Sequence, residues 1–341
     1  MATRPLELAA NLVERGDVGA IQVAYCREGA TVQASFGACD DASRFALASL
    51  TKPLIAMACL VACDEGVLEL DAPLPTYVPE ATSNATMREL LAHASGLPAD
   101  SPEARRAQLA TDGTWETVAA AYAALQPAAA PCSARIYSNA GYALAALALE
   151  RASEMSYRDY VEAALLQPLG MSRTTLGAAI HDPDVIEVRQ PGLLGHGEQL
   201  FNDQRFRILG MPQSGGFGTA IDYLRFLRCA AGRGPDVLDN GLRQELLQNQ
   251  CGALPGGVGD FMEWPVCDWA VGFELRDGKS PHWTGTALSA GSATHFGASG
   301  TLAFIDPERD VQAVVLANRG TYSRWMLEPG GWPDVCAALV A

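Results

Sequence analysis

The spacing of apolar residues divides the chain into a strand-forming beginning, a helical middle and a strand-forming end. Leu8 and Leu12 lie on one face of a predicted N-terminal helix, which Gly16 closes. Two apolar segments, "AIQVAYCRE" and "TVQASFG", follow as strands joined by a short glycine-containing turn. A long apolar run after residue 49 then predicts a helix that ends near Gly66.

Residues from about 70 to 225 have the spacing of helices separated by loops. The helical segments are "TMRELLAHAS", "TWETVAAAYAAL", "AGYALAALALERAS", "SYRDYVEAALLQPLG" and "AIDYLRFLRCAA". Strand patterns return in "WAVGFELRDG", "GTLAFIDPERD" and "VQAVVLANRG", and "WPDVCAALVA" is typical of a closing helix.

These patterns predict an α/β fold of the α+β type. Its largely antiparallel sheet is built from both chain ends and flanked by helices, with a mostly helical lobe inserted between the ends. We expect a sheet domain formed by residues 1–58 together with 222–341, and an inserted helical domain formed by residues 59–221. The active site is expected at the interface of the two.

The charge of the chain limits its partners. The 341 residues carry 24 basic and 39 acidic side chains, a formal net charge of −15, and no basic stripe, so nucleic acid is not expected as a partner. No apolar run reaches the roughly 20 residues of a membrane span, and the start "MATRPLELAANLVERG" lacks the apolar core of a signal peptide. Together with nine cysteines that form no C-x-x-C pair, these features predict a cytoplasmic protein. The sequence does not indicate an oligomeric state.

No metal or cofactor site is predicted. Cys59 and Cys63 are spaced for one helix face, but packing is the favoured interpretation because no neighbouring ligand completes a set. The G-x-S-x-G motif of α/β-hydrolases is missing as well. The five histidines show no ligand spacing, and they are His93, His181, His196, His282 and His295.

A Ser49-x-x-Lys52 motif offers different chemistry. The chain has only two lysines, and this one lies where an apolar helix begins, three residues after a serine and therefore on the same helix face. Pro53 is tolerated only near a first turn, which places the helix start at about Ser49. Burial would lower the pKa of the amine and let it accept a proton. Taken alone, the motif fits equally well an N-cap serine with an unrelated lysine beside it.

Two further stretches favour catalysis. Tyr137-Ser138-Asn139 precedes a helix, and His295-Phe296-Gly297 is followed by Ala298 near the C-terminal end. The order S-x-x-K, Y-x-N and [K/H/W]-x-G resembles the serine β-lactamase and penicillin-binding-protein superfamily. Its most similar branch holds class C β-lactamases, D-aminopeptidases and family VIII carboxylesterases. The stretches "TMRELLAHASGLP", "SGGFGTAIDYLRF" and "IDPERD" resemble flanking segments of that branch, and the resemblance spans roughly residues 18 to 320.

The resemblance implies a β-lactamase/transpeptidase-like fold and a role for each matched residue. Ser49 resembles the nucleophile, Lys52 the amine that lowers the nucleophile's pKa, and Tyr137 the general base. Asn139 would position Lys52 or the acyl group of the substrate. The backbone N–H groups of Ser49 and Ala298 would form an oxyanion hole, with Ala298 on an edge strand that also carries His295 and Gly297.

Other residues are given secondary roles. A glycine at 297 is expected because substrate would lie against bare backbone there. His93 and Asp222 match the resembling flanks, and we expect them to stabilise turns and helix ends. "HWTG" at His282–Gly285 is a weaker candidate for the third motif, because no glycine-rich strand follows it directly.

The predicted function is that of a serine hydrolase acting on a small-molecule carboxylic ester or amide through an acyl-enzyme. An esterase is favoured, because His295 and Phe296 stand where carboxylate-binding relatives carry the lysine and threonine of K-T-G. A β-lactamase, a D-amino-acid peptidase or amidase, and a transacylase remain alternatives. A catalytically silent binding or scaffold protein on the same fold is the alternative of another class.

Overall fold

The computed structural model describes residues 3–179, 181–189, 199–258 and 262–341, so His196 lies outside the described residues. The helices in this part of the chain are α1 Thr3–Glu14, α2 Thr51–Asp64, α3 Met87–Leu91, α4 Pro102–Leu109, α5 Trp115–Ala123, α6 Asn139–Ser153, α7 Tyr157–Val161, α8 Gln199–Asn202, α9 Gln204–Leu209, α10 Ala220–Ala230, α11 Asn240–Gln244 and α12 Trp332–Val340. The strands are β1 Ala20–Arg27, β2 Ala30–Gly37, β3 Phe45–Ala46, β4 Arg135–Ile136, β5 Thr175–Leu176, β6 Gly216–Gly218, β7 Gly256–Val258, β8 Met262–Trp264, β9 Glu274–Leu275, β10 Ala293–Gly297, β11 Thr301–Asp306 and β12 Val311–Ala317.

The main sheet of the described residues joins the two ends of the chain. Its strand order is β2-β1-β12-β11-β10-β9, and every neighbouring pair is antiparallel. N-terminal β1 lies beside C-terminal β12, with Ile21 opposite Ala317. The predicted antiparallel sheet built from both ends is therefore confirmed.

The two faces of this sheet pack against different helices. Because side chains alternate along a strand, Val315 points into a core shared with α1 and α12, while Val314 and Leu316 point into a core shared with α2, α6 and α10. The second core includes Leu54 of α2 and Leu144 of α6, so the helical middle of the chain is continuous with the sheet. No helix among the described residues is both long and apolar enough to cross a membrane.

Besides "TMRELLAHAS", which forms only the five-residue helix α3, two predicted elements are shorter than their patterns indicate. The segment "WAVGFELRDG" contributes only Glu274–Leu275 to the sheet, because the Ala270 N–H bonds to the Phe273 carbonyl and forms a turn instead of a strand. The segment "SYRDYVEAALLQPLG" forms the five-residue helix α7 followed by a π-helical turn at Glu162–Leu166. Both differences lie outside the paired strands that carry the predicted site.

Candidate active site

Ser49 lies in a tight turn immediately before α2. A 3₁₀ turn covers Ala48–Leu50, so the α-helix begins two residues later than the sequence predicts. Ala48 has a φ of +49°, a left-handed conformation that is uncommon for a residue with a side chain. The Thr51 hydroxyl donates to the Ala48 carbonyl at 2.6 Å and accepts from the Gly216 N–H at 2.9 Å. These contacts fix a strained backbone next to the candidate nucleophile.

Lys52 is fully buried and contacts the Ser49 hydroxyl. Its Nζ lies 3.1 Å from Ser49 Oγ, 2.9 Å from Asn139 Oδ1 and 2.9 Å from the Gln213 carbonyl oxygen. Burial lowers the pKa of the amine to about 7, although the charge of Asp100 opposes the change. Near neutral pH, a large fraction of the molecules therefore carries an uncharged amine that can accept a proton.

The positions of Tyr137 and Asn139 are set by the way β4 leads into α6. Strand β4 ends at Ile136, and Ser138 caps α6 by accepting from the Gly141 N–H at 3.2 Å. The side chains of Tyr137 and Asn139, on either side of Ser138, then face Lys52. The Nζ atom of Lys52 lies 4.8 Å from the Tyr137 ring centroid.

The surroundings of Tyr137 bear on the role of base that the resemblance implies. Burial raises the pKa of its hydroxyl above the ordinary value, although a hydrogen bond with Ser49 acts in the opposite direction. The phenol therefore stays protonated at the pH where Lys52 is already half uncharged. Lys52 is the stronger candidate for the base.

The hairpin formed by β10 and β11 is fastened to the residues that lead into the Ser49 turn. The Ser299 hydroxyl donates to the Ala46 carbonyl at 2.6 Å, and the Thr301 hydroxyl donates to the Leu47 carbonyl at 3.1 Å. A Cβ atom on Gly297 would lie 2.4 Å from the Leu47 carbonyl oxygen. The glycine is thus required for close packing against the Ser49 turn, which differs from the expected reason of contact with substrate. Ala298 lies one residue beyond β10, not on the strand as expected, and the expected edge position of this strand is wrong for its first two residues, because β9 pairs with Ala293 and Thr294.

His295 and Phe296 point to opposite faces of the sheet. His295 is buried, and its Nδ1 donates to the Phe296 carbonyl at 2.9 Å. Burial and the nearby Lys52 hold the pKa of this imidazole at about 3, so it is neutral. The Phe296 ring packs 5.1 Å from Trp283 and 5.6 Å from Trp332, centroid to centroid, on the far face. At these two positions the strand offers the site no cation and no hydroxyl.

His93 and Asp222 make the structural contacts expected of them. His93 Nδ1 accepts from the Ser138 N–H at 2.9 Å, and its ring lies 4.4 Å from that of Tyr137. Asp222 accepts from the Arg173 N–H at 2.8 Å near the start of α10.

The weaker third-motif candidate lies in a separate buried cluster. His282 contacts the Thr284 hydroxyl at 2.7 Å through Nδ1 and a Glu274 carboxylate oxygen at 3.3 Å through Nε2. Both ring nitrogens are therefore engaged in stabilising the loop that follows β9. The HWTG stretch is positioned to support the fold, not the chemistry.

Three residues of the site are missing from the sequence prediction. Asp100 accepts from Asn139 Nδ2 at 3.1 Å and from the Tyr122 hydroxyl at 2.6 Å, while Gln213 contacts Lys52 through its backbone. Asp100 closely follows the "LLAHASGLP" flank, which is the one signal that could have pointed to it. Tyr122 and Gln213 stand in no motif.

Comparison with known proteins gives four informative matches. A family model described as Beta-lactamase matches residues 7–325. Esterase EstB of Burkholderia gladioli is 29% identical over 319 residues, covering 80% of this chain and 77% of that protein. A solved β-lactamase from Mycobacterium bovis is 30% identical with a TM-score of 0.72, covering 97% of this chain and 98% of that one. Penicillin-binding protein 4* of Bacillus subtilis is 32% identical over 142 residues, which cover 39% of this chain and 30% of that protein.

Proposed function

Because the chain belongs to the beta-lactamase family of serine hydrolases, we propose that it is an esterase that forms an acyl-enzyme on Ser49. The observation that carries this proposal is the contact of Ser49 Oγ with a buried Lys52 amine whose pKa is lowered to about 7. A serine hydroxyl is a weak nucleophile until a nearby base takes its proton.

In the first half-reaction, the uncharged Lys52 amine accepts the Ser49 proton while Oγ bonds to the ester carbonyl carbon. The N–H groups of Ser49 and Ala298 stabilise the oxyanion, since the turn between β10 and β11, which contains Ala298, is fastened beside the Ser49 turn. The tetrahedral intermediate then expels the alkoxide, which leaves as the alcohol after taking the proton from the Lys52 ammonium. We assign the base to Lys52 and give the protonated Tyr137 hydroxyl the part of a hydrogen-bond partner to Ser49.

In the second half-reaction, water attacks the acyl carbon and gives up its proton to the same uncharged amine. The bond from the acyl carbon to Ser49 Oγ then breaks, the carboxylic acid leaves, and the Lys52 ammonium returns its proton to Oγ. If an alcohol took the place of water, the product would be a new ester, so the transacylase alternative rests on which acceptor enters the site.

The third motif favours neutral esters over β-lactams. Recognition of a substrate carboxylate needs a cation or hydrogen-bond donors. His295 is neutral and Phe296 is turned to the far face, so these two positions supply neither. The similarity to esterase EstB supports the ester assignment, whereas the similarity to the Mycobacterium bovis β-lactamase keeps β-lactam hydrolysis as the alternative. A silent binding protein is disfavoured by the mutual contacts of Ser49, Lys52 and Asn139.

The decisive measurement compares kcat/KM for p-nitrophenyl acyl esters with that for nitrocefin. We expect the ester value to be far higher, and a β-lactam value equal to or above it would reverse the assignment. Mass spectrometry after a fluorophosphonate should show one adduct on Ser49. Ser49→Ala should lose both the adduct and turnover, while Ser153→Ala, a change in a hydroxyl bonded to the Leu149 carbonyl, should keep both.

We also infer a cytoplasmic location. All nine cysteines are free, and four of them are only partly buried, which suits a reducing compartment. Alkylation of the protein under denaturing conditions, straight from its native cells, should find nine reduced thiols. Recovery of a disulfide in that experiment would argue for an oxidising compartment.

A further inference from the structure

A ring of hydrogen bonds closes around the Lys52 amine. Lys52 donates to Asn139 Oδ1 at 2.9 Å, and Asn139 Nδ2 donates to Asp100 at 3.1 Å. The Tyr122 hydroxyl donates to the other Asp100 oxygen at 2.6 Å, and Gln213 Nε2 reaches that hydroxyl at 3.5 Å. The Gln213 carbonyl completes the ring by accepting from Lys52 at 2.9 Å. Five residues from separate segments thus share one closed network.

The Asp100 carboxylate determines which way the Asn139 amide points. A carboxylate only accepts hydrogen bonds, so it must face the NH₂ group of Asn139. The carbonyl oxygen of the same amide is then the atom left for Lys52. Without Asp100, the amide could turn over and present a donor to an amine that also needs to donate.

The direction of the Lys52 lone pair follows from this arrangement. An uncharged amine has two N–H bonds and one lone pair. The ring supplies two acceptors, Asn139 Oδ1 and the Gln213 carbonyl, which take both hydrogens. Ser49 Oγ is the third neighbour, at 3.1 Å, and faces the remaining lone pair.

We propose that Asp100 is a positioning residue that, together with Tyr122, aims the lone pair of Lys52 at the Ser49 hydroxyl. The inference rests on the proposed role of Lys52 as the base. It assigns a task to two side chains that do not touch the reacting atoms. Tyr122 suits it because burial and Asp100 both raise the pKa of its hydroxyl, which stays protonated and able to donate.

Asp100 also supplies the acidic charge that acts on Lys52. The aromatic rings of Tyr137 and Tyr142 face the amine at 4.8 and 5.8 Å. His93 and His295 are also close enough for the Lys52 charge to lower their pKa, and both are neutral. Loss of the Asp100 charge therefore removes the acid that stabilises the ammonium form.

The two lysines of the chain allow a direct test. In protein labelled with ¹³C at lysine Cε, Lys52 and Lys279 give two signals, and the Lys52→Arg variant assigns them. We expect the Lys52 titration to move down by roughly one pH unit in Asp100→Asn, because an opposite charge has been lost. The Lys279 signal should be unaffected. Asp112→Asn, which removes the same charge from an exposed turn, should leave the Lys52 titration in place.

Kinetic measurements distinguish the positioning of the Lys52 lone pair from the effect of the Asp100 charge. In Asp100→Asn the new amide can still accept from Asn139, so the direction of the Asn139 amide is kept and only the charge is lost. The acid limb of kcat/KM should therefore move to lower pH together with the Lys52 titration. Tyr122→Phe keeps the charge, so it should lower kcat about tenfold with little change in KM or in the limb. An unmoved Lys52 titration in Asp100→Asn, or full kcat in Tyr122→Phe, would overturn the inference. If the titration moves in a protein that hydrolyses no ester, the proposed function fails and Asp100 still sets the charge state of Lys52.

Discussion

A lysine amine away from solvent is held uncharged by the burial that makes such a residue costly elsewhere in a protein core. At Lys52 the structure adds two carbonyl acceptors and a serine hydroxyl, so the uncharged amine is also oriented. Tyr137, in contrast, holds its proton more tightly than a free tyrosine. These two pKa shifts support the proposal that Lys52, and not Tyr137, accepts the proton of Ser49.

The first prediction concerns pH. Lys52 can accept a proton only when uncharged, and its pKa is lowered to about 7, so kcat/KM for an ester should fall as the pH drops below about 7. His295, with a pKa of about 3, stays neutral throughout and should not contribute. A pH profile with p-nitrophenyl acetate measures this directly. His295→Asn should keep the limb at the same pH, and a limb that moved with it would assign the titration to the imidazole.

The second prediction is that Lys52→Arg loses at least about a thousandfold in kcat/KM, because a guanidinium does not release its proton at working pH. Circular dichroism should show an intact fold. Near-normal rates in a folded Lys52→Arg variant would make the lysine a structural residue.

The β10–β11 hairpin and the segment that leads into the Ser49 turn act as one unit at the scale of elements. Two hydroxyl groups and a glycine on one side meet three consecutive residues, Ala46 to Ala48, on the other. The distance between the two N–H groups proposed for the oxyanion hole depends on this contact. A small change in packing here should therefore affect chemistry as well as stability.

The third prediction tests that contact with a single methyl group. In Gly297→Ala the new Cβ would lie 2.4 Å from the Leu47 carbonyl oxygen, so the strand must move away from the turn. We expect a loss of roughly 1–3 kcal/mol in the free energy of unfolding, together with a lower kcat. Gly291→Ala is the matched control, because its Cβ meets only Pro307 at an ordinary 3.6 Å. Equal stability and activity in the two variants would contradict the packing role.

Short motifs made part of this site predictable. Ser49 and Lys52 are three residues apart on a helical turn, and Tyr137 and Asn139 flank the extended residue Ser138, so local geometry already puts each pair on one side of its segment. Asp100 and Tyr122 reach the site through loops and helices remote in sequence, and their polar side chains resemble many others on the surface. Nothing in a single sequence specifies such contacts, since the fold must first bring them within reach.

The sheet, at the scale of the whole molecule, ties the first strand of the chain to its last. Alternating apolar strands at both ends were enough to predict that arrangement, whereas the boundaries at residues 58 and 222 stay predictions. The apolar core that contains Leu54, Leu144 and Leu316 runs without interruption from the helical middle into the sheet. A division of the chain into two lobes need not mean two units of folding.

The fourth prediction is therefore a single unfolding transition. Five of the six tryptophans belong to the core shared with α1 and α12, so their fluorescence reports on one face of the sheet. Far-UV circular dichroism reports mainly on the helices of the other part. In urea the two signals should change at the same midpoint. Separate midpoints would show that the helical lobe unfolds independently.

Both lysines of this chain are buried, and there are only two. Reagents that acylate lysine amines therefore find none on the surface of the native protein. Ser49 beside Lys52 is proposed to be acylated in the folded protein, whereas Lys279 becomes reactive only when the chain around it opens, so the extent of labelling at Lys279 reports opening events. Mass spectrometry of a protein left with such a reagent would therefore measure, as the fraction of acylated Lys279, how often the surrounding chain has opened.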